Sequence, residues 1–263
     1  MSEELRILVT GASRGIGSAL ALRLAKPGAR LALSGSAHSA GLEETAAACK
    51  AYGAEVVEVV GDLGDPDAPS RLVGEAAGAF GGLDAVVSNA GVALPGSLVG
   101  LSPSDFDRTF AVNVRAPWSL ARAAFEPLKA TRGAFVAIAS MSGIEPYPGV
   151  GAYSASKAAL IMLVRTLALE WAEHGVRVNT VSPGLFRSSM TAPIYADPEK
   201  TAAREALIPL HRIGDPARDL GGLVEFLLSP DATYITGQNV LVDGGLLGSI
   251  HAHIAGRPKS GPR

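Results

Sequence analysis

The chain has a single cysteine, Cys49, in 263 residues, which excludes an internal disulfide and suits a reducing compartment. Set in a helix-like stretch, that thiol reads as a small buried filler. Charged residues make up only 18% and aromatic ones 5%, against 48% hydrophobic. That is too little charge for a disordered chain and enough apolar material for a sizeable core. Long apolar runs are missing: the longest, Ala158 to Val164, falls far short of the about 20 residues a membrane-spanning helix needs. The amino terminus, Met1 to Arg6, carries two glutamates and lacks the basic and apolar regions of a signal peptide. A soluble, cytoplasmic protein is expected. Neither sign of charge dominates, with 23 Lys and Arg against 25 Asp and Glu and a net charge of −2. No basic stripe stands out, so a nucleic-acid partner has no electrostatic footing. His251 and His253 have no further ligands nearby in sequence, and no metal site is expected.

What the chain does have is rhythm. Apolar, strand-like runs lie near 5–10, 29–34, 54–60, 83–88, 133–139, 175–181 and 238–242. Between them, amphipathic segments near 15–26, 39–52, 67–79, 103–130, 152–173 and 216–228 read as helices. Repeated βα units with continuously apolar strands imply a parallel sheet covered on both faces. The right-handed crossover rule then gives an α/β fold, a doubly wound Rossmann-like sheet of about seven strands. No linker interrupts the pattern, so residues 1–263 read as a single domain. Residues 185–214, with Pro193, Pro198 and Pro209, form a long insertion expected to be a substrate lid. Residues 246–263 read as a tail without periodicity, expected to be disordered or packed on a neighbouring subunit.

Three motifs carry chemistry. Tyr153 and Lys157 are four apart on a predicted helix and therefore share a face. There the ammonium can favour the phenolate and draw a pKa of about 10 toward neutrality, as a proton donor at a carbonyl requires. Ser140 follows the run Ala134 to Ala139, which places its hydroxyl at a strand's carboxyl end. The first strand ends in Thr10-Gly-Ala-Ser-Arg-Gly-Ile-Gly17 and opens into a helix. Gly11 suits a tight turn, Gly15 a close approach to a pyrophosphate, and Gly17 tight helix–strand packing. The new helix would offer free N–H groups to phosphates. The plainer alternative is an ordinary glycine-rich turn.

With Asp62-Leu63, Asn89-Ala-Gly91, Asn113-Val114, Pro183-Gly184 and Val242-Asp-Gly-Gly245 in the same order, the chain resembles the short-chain dehydrogenase/reductases. It is most similar to their single-domain branch, which includes 3-oxoacyl-carrier-protein reductases, and the resemblance runs from Leu5 to Gly245. It implies an oxidoreductase transferring a hydride between NAD(P)(H) and a ketone or secondary alcohol. It implies a catalytic tetrad of Asn113, Ser140, Tyr153 and Lys157. Tyr153 would be the general acid/base, Ser140 would hold the substrate oxygen, and Lys157 would bind the nicotinamide ribose. Asn113 would anchor a proton-relaying water chain. Cofactor contacts are implied for Gly11, Ser13, Arg14, Gly15, Ile16, Gly17, Ser36, Asp62, Leu63, Asn89, Ala90, Gly91, Tyr153, Lys157, Pro183, Gly184 and Ser188. Asp62 would meet the adenine and Ser188 the nicotinamide carboxamide. Ser88 stands where the family often has a second Asn.

Members that prefer NAD carry an acid at the end of the second strand, where this chain has Gly35. Arg14 could meet a 2′-phosphate, although no Arg stands at Ser36. NADP(H) is therefore expected, with NAD(H) the alternative. Ser142, Tyr147, Leu185 and Met190 are candidate substrate contacts, and their mostly apolar character points to a small-molecule ketone or alcohol. Glu145 and Arg187 could recognise a polar group. A non-catalytic nucleotide-binding regulator of the same fold is the competing reading, though such proteins usually lose the Tyr or Lys kept here. Enoyl reductases space those two residues more widely. The family's habit, and the crowded apolar surface of 152–173, lead us to expect a homotetramer, with a dimer as alternative.

Overall fold

In the first strand Ile7 and Val9 pack into one core layer while Leu8, between them, packs into the other. Successive strand side chains point to opposite faces, so an unbroken apolar run requires cover on both. The computed structural model, which describes residues 5–188 and 191–249, shows that cover.

Strand β1 (Arg6–Thr10) leads into helix α1 (Gly15–Leu24), β2 (Arg30–Gly35) into α2 (Ala40–Ala51), and β3 (Glu55–Val60) into α3 (Ala68–Phe80). After β4 (Ala85–Ser88) come α4 (Pro103–Phe110), a π-helical turn (Ala111–Arg115) and α5 (Ala116–Thr131). Next are β5 (Ala134–Ile138) and α6 (Tyr153–Trp171), then β6 (Arg177–Pro183) and the short helices α7 (Ala192–Tyr195) and α8 (Pro198–Leu207). A second π-helical turn (Pro216–Leu220) opens α9 (Gly221–Leu228), and β7 (Asn239–Val242) completes the order.

All pairings are parallel, in the order β3-β2-β1-β4-β5-β6-β7. The order reverses between β1 and β4, which opens a crevice at the carboxyl ends of those strands. One layer is filled from α1, α2 and α9 by Leu20, Leu24, Leu42, Val224 and Leu227. The other is filled from α3, α5 and α6 by Leu72, Leu120, Leu128, Leu160 and Val164. Fully burying each such Leu or Val contributes about 1.5–3 kcal/mol, so this sheet is a stiff platform for whatever sits at its edge.

One helix differs from expectation. The segment 103–130 reads as continuous in sequence, yet it is two helices joined by the π turn. Hydrophobic spacing cannot register one extra residue in one turn. Pro117 can: without an N–H it cannot donate to the carbonyl four residues back, that of Asn113. The expected lid segment holds α7 and α8, the latter capped by Asp197, which accepts from the Glu199 and Lys200 amides at 3.0 and 3.2 Å. Met190, His251, His253 and the tail from residue 250 lie outside the described residues.

Candidate active site

The crevice is bounded by two turns that touch backbone to backbone. The Thr10 hydroxyl at the end of β1 accepts from the amides of Asn89 (3.0 Å) and Ala90 (3.1 Å). The Asn89 side chain returns the bond, donating to the carbonyls of Thr10 (3.0 Å) and Gly11 (3.3 Å). A methyl on Gly11, whose φ is +67°, would lie 2.9 Å from the Ala90 backbone, and one on Gly17 would strike the Gly11 carbonyl. No larger residue fits either place. Helix α1 starts at Gly15 with no side-chain cap, so its first N–H groups face the crevice mouth unclaimed by side chains. Ser13 and Ile16 are half-buried beside it, and Arg14 is exposed. This cradle without side chains fits a dinucleotide's pyrophosphate. Gly91 extends it: a methyl there would come within 3.3 Å of Asn113 Oδ1 and 3.4 Å of Lys157 Nζ.

The sequence-predicted tetrad converges beside that cradle. Ser140 follows β5, and its Oγ accepts from the Ser142 amide at 3.1 Å, starting a short 3-10 turn (Met141–Gly143). Its hydroxyl is close enough to influence the phenol of Tyr153, the first residue of α6. One turn on, Lys157 is 3% exposed, donates from Nζ to the Ile138 carbonyl at 2.9 Å, and sits 5.7 Å from the centre of the Tyr153 ring. Asn113, in the π turn, is wholly buried. Its Oδ1 accepts from the Val92 amide (2.9 Å), and its Nδ2 donates to the Val92 carbonyl (2.8 Å) and to Ser156 Oγ (3.0 Å).

The electrostatics depart from the sequence expectation. The Tyr153 phenol is raised above its ordinary value, because burial disfavours the phenolate; the Ser140 hydrogen bond pulls it back and Tyr147 adds to the rise. Lys157 is the group that moves toward neutrality, lowered from 10.5 to about 8 by burial. Charge spacing alone predicts the reverse for the tyrosine, since a sequence shows neighbours on a helix but not how dry they are. Near neutral pH the arrangement is a protonated phenol, able to donate, above a cation that holds its charge only modestly.

Sequence reasoning gave no role to three residues. Ser156, fully buried, donates to the Tyr153 carbonyl at 2.7 Å and accepts from Asn113, so it fastens the π turn to α6. Asp243 accepts from the amides of Gly245 and Leu247, both at 2.8 Å, and a methyl on Gly184 would meet its Cβ at 2.6 Å. The Asp-Gly-Gly motif thus backs the Pro183-Gly184 loop. Thr191 donates to the Phe186 carbonyl (2.8 Å) and pairs with Ser188 Oγ (3.1 Å), which shapes the start of the insertion. Ser156 had a signal as a polar residue at the third position after Tyr153, and Asp243 as part of the Val242-Asp-Gly-Gly245 motif.

The remaining candidates spread around this centre. Asp62 and Leu63 lie just beyond β3 and Ser36 just beyond β2, where Gly35 is buried and Ser36 exposed. Ser142 is buried, and its hydroxyl accepts from Ser140 at 3.1 Å, which makes it a partner of Ser140. Tyr147 is 47% exposed, and Leu185 is half-buried with its carbonyl accepting from Gly214 at 2.9 Å. Arg187 and Arg204 lie against the Tyr195 ring at 5.6 and 5.5 Å, so Arg187 is engaged within the insertion.

A family model described as enoyl-(acyl carrier protein) reductase matches residues 11–247. The chain belongs to the short-chain dehydrogenase/reductase family. Glucose 1-dehydrogenase of Gluconobacter oxydans is 39% identical over 92% of this chain and 91% of that protein. The short-chain dehydrogenase of Burkholderia cenocepacia J2315, solved in complex with NADP, superposes with a TM-score of 0.86. It is 35% identical over 93% of this chain and 98% of that one. The 3-oxoacyl (acyl-carrier-protein) reductase of Agrobacterium tumefaciens C58, solved with NADP bound, gives 0.86 at 31% identity over 92% and 94%. As a member of this family the chain is an oxidoreductase. Among its described residues, no helix is long and apolar enough to cross a membrane.

Proposed function

We propose that this dehydrogenase/reductase transfers a hydride between NADP(H) and a ketone or secondary alcohol, with Tyr153 as general acid/base. The observation that carries the reading is the convergence beside the glycine cradle of Ser140, whose hydroxyl draws the Tyr153 phenol downward, with the Lys157 ammonium 5.7 Å from the centre of the Tyr153 ring. A substrate oxygen placed between the two hydroxyls accepts from both, and Tyr153 delivers its proton as negative charge develops there. When bound, the nicotinamide supplies or takes the hydride. Lys157 holds the ribose and steadies the phenolate left behind. Asn113 fixes the loop at Val92 and, through Ser156, the first turn of α6. The raised phenol keeps Tyr153 protonated near neutral pH, the form that a proton donor needs.

The preference for NADP(H) is supported at two points. Gly35 closes β2 without an acid, and a Cβ there would already lie 3.0 Å from the Ala37 carbonyl, so a diol-binding carboxylate does not fit easily. Arg14, exposed in the glycine loop and with no carboxylate partner among the described residues, is placed to meet a 2′-phosphate. NAD(H) is the second reading, favoured by the lack of an arginine at Ser36. The four-residue Tyr153–Lys157 spacing supports carbonyl chemistry over reduction of a carbon–carbon double bond. Tyr147, Leu185 and the insertion from 185 to 214 would form the substrate's side of the crevice, closing as a lid over a body of mainly apolar character.

Self-association is part of the proposal. A groove of about 560 Å³ lies between the π turn, α5 and α6, lined by Phe110, Val114, Trp118 and Leu163. Trp118, Met162 and Leu169 are 41, 58 and 81% exposed on the same helices, an apolar surface that a second copy would cover. We expect a homotetramer, read by light scattering; a monomer at working concentration overturns it. The reaction is tested by following reduced-nicotinamide absorbance with a ketone panel and both cofactors. Turnover with higher kcat/KM for NADPH supports the reading, and a clear NADH preference reverses the cofactor assignment.

A further inference from the structure

Among the described residues, Asp62 Oδ1 accepts two hydrogen bonds, from the Gly64 amide (2.9 Å) and from Arg108 Nη2 (2.8 Å), while Oδ2 accepts none. We propose that Arg108 is a positioning residue for Asp62, engaging Oδ1 so that Oδ2 is left to accept from the 6-amino group of the cofactor's adenine. The crevice would then select an adenine dinucleotide over one carrying a 6-oxo purine. The proposal rests on the dinucleotide reading above.

The geometry around Arg108 has the features this role needs. Arg108 comes from the last turn of α4, 46 residues away in sequence, and reaches across to the loop after β3. Just past Asn113, Arg115 donates to the Gly64 carbonyl at 2.5 Å, so two guanidiniums that flank Asn113 grip the same short loop. Gly64 makes room for this, since a methyl at its Cα would occupy the position of the Arg108 guanidinium. The ion pair is not a stability device. Its side chains are 43 and 51% exposed, and such pairs contribute about 0–1 kcal/mol. Its effect is on Asp62 itself: Arg108 fixes Oδ1 and is the largest cause holding that carboxyl below its ordinary range. A 6-oxo purine would set a second acceptor against Oδ2, with no proton between them.

The test is titration of the purified protein with NADPH and with its 6-deamino, hypoxanthine-containing analogue, reading dissociation constants by calorimetry. The unaltered chain is expected to bind NADPH about tenfold or more tightly, as loss of one charge-assisted hydrogen bond implies. Asp62→Asn, whose amide can donate to a 6-oxo group, should erase that ratio. Arg108→Gln should shrink it several-fold by freeing the carboxylate to turn, and Arg108→Lys should restore part of it. A merely structural Arg108 would weaken both nucleotides alike and leave the ratio standing. A wild-type ratio in Arg108→Gln, with the ratio lost in Asp62→Asn, overturns the role of Arg108. A ratio unmoved by Asp62→Asn, or no preference in the unaltered chain, removes adenine from Asp62 altogether and the proposal with it, without touching the chemistry at Tyr153.

Discussion

Lys157 holds its ammonium 5.7 Å from the centre of the Tyr153 ring while giving a hydrogen bond to the Ile138 carbonyl at 2.9 Å. The cation is therefore anchored to the end of β5 and does not depend on the tyrosine for its place. The two residues titrate apart, the lysine downward and the phenol upward, and both movements come from burial.

Tyr153→Phe deletes the proton donor and leaves the ring. Turnover of a ketone should fall by about two to four orders of magnitude, the usual worth of a placed acid, while calorimetry still detects cofactor binding. Near-normal turnover would assign the proton to another group.

Because Lys157 loses its charge near pH 8 and Tyr153 keeps its proton well beyond that, the alkaline limb of kcat/KM for carbonyl reduction should fall through about pH 8. The profile from pH 6 to 10 checks this, and the residual rate of Lys157→Met should lack that limb. A profile that stays flat through pH 8 and falls only at higher pH would assign the limb to the phenol instead.

The same burial has a thermodynamic sign. Between about pH 8 and 10.5 the folded lysine carries fewer protons than the unfolded one, so stability rises with pH across that window, and below it the buried charge is a burden. A displacement of that size corresponds to about 3 kcal/mol, less about 1 kcal/mol for the Ile138 hydrogen bond that a methionine cannot make. Lys157→Met should therefore melt several degrees higher at pH 7 although its turnover is reduced to a residual rate, and the gap should narrow toward pH 10. Calorimetric scans at both pH values decide it; a lower Tm at pH 7 would mean the charge is better solvated than its surroundings indicate.

Ser156→Ala strands the Asn113 Nδ2 bond and the tie to the Tyr153 carbonyl. A buried donor losing one partner costs about 1–3 kcal/mol, which should lower the Tm by several degrees. If Ser156 serves to register α6 against the π turn, kcat drops more than cofactor affinity does. Equal losses in both would reduce it to a packing residue.

Much of this was legible before any coordinates. The strands could be read because residues such as Ile7, Leu8 and Val9 are apolar without alternation, a pattern that a doubly covered sheet imposes. The Gly11–Gly17 loop could be read because its spacing follows a steric demand. Other features depend on tertiary proximity, which no local pattern encodes. The break at Ala111–Arg115 inserts a single residue into a helical period, below what hydrophobic spacing resolves. The displacement of Tyr153 depends on dryness, which sequence distance does not measure. Ser156 with Asn113, and Arg108 with Asp62, join residues from separate elements, and their polar side chains look like ordinary surface until the chain is folded.

The bond network at Thr10 has a mechanical side. One hydroxyl ties the ends of the two strands at which the sheet changes direction, so neither half can open without disturbing the other. The amide protons of Asn89 and Ala90 should then exchange with solvent only when the entire sheet comes apart, and a nucleotide would enter a cleft whose floor is already rigid.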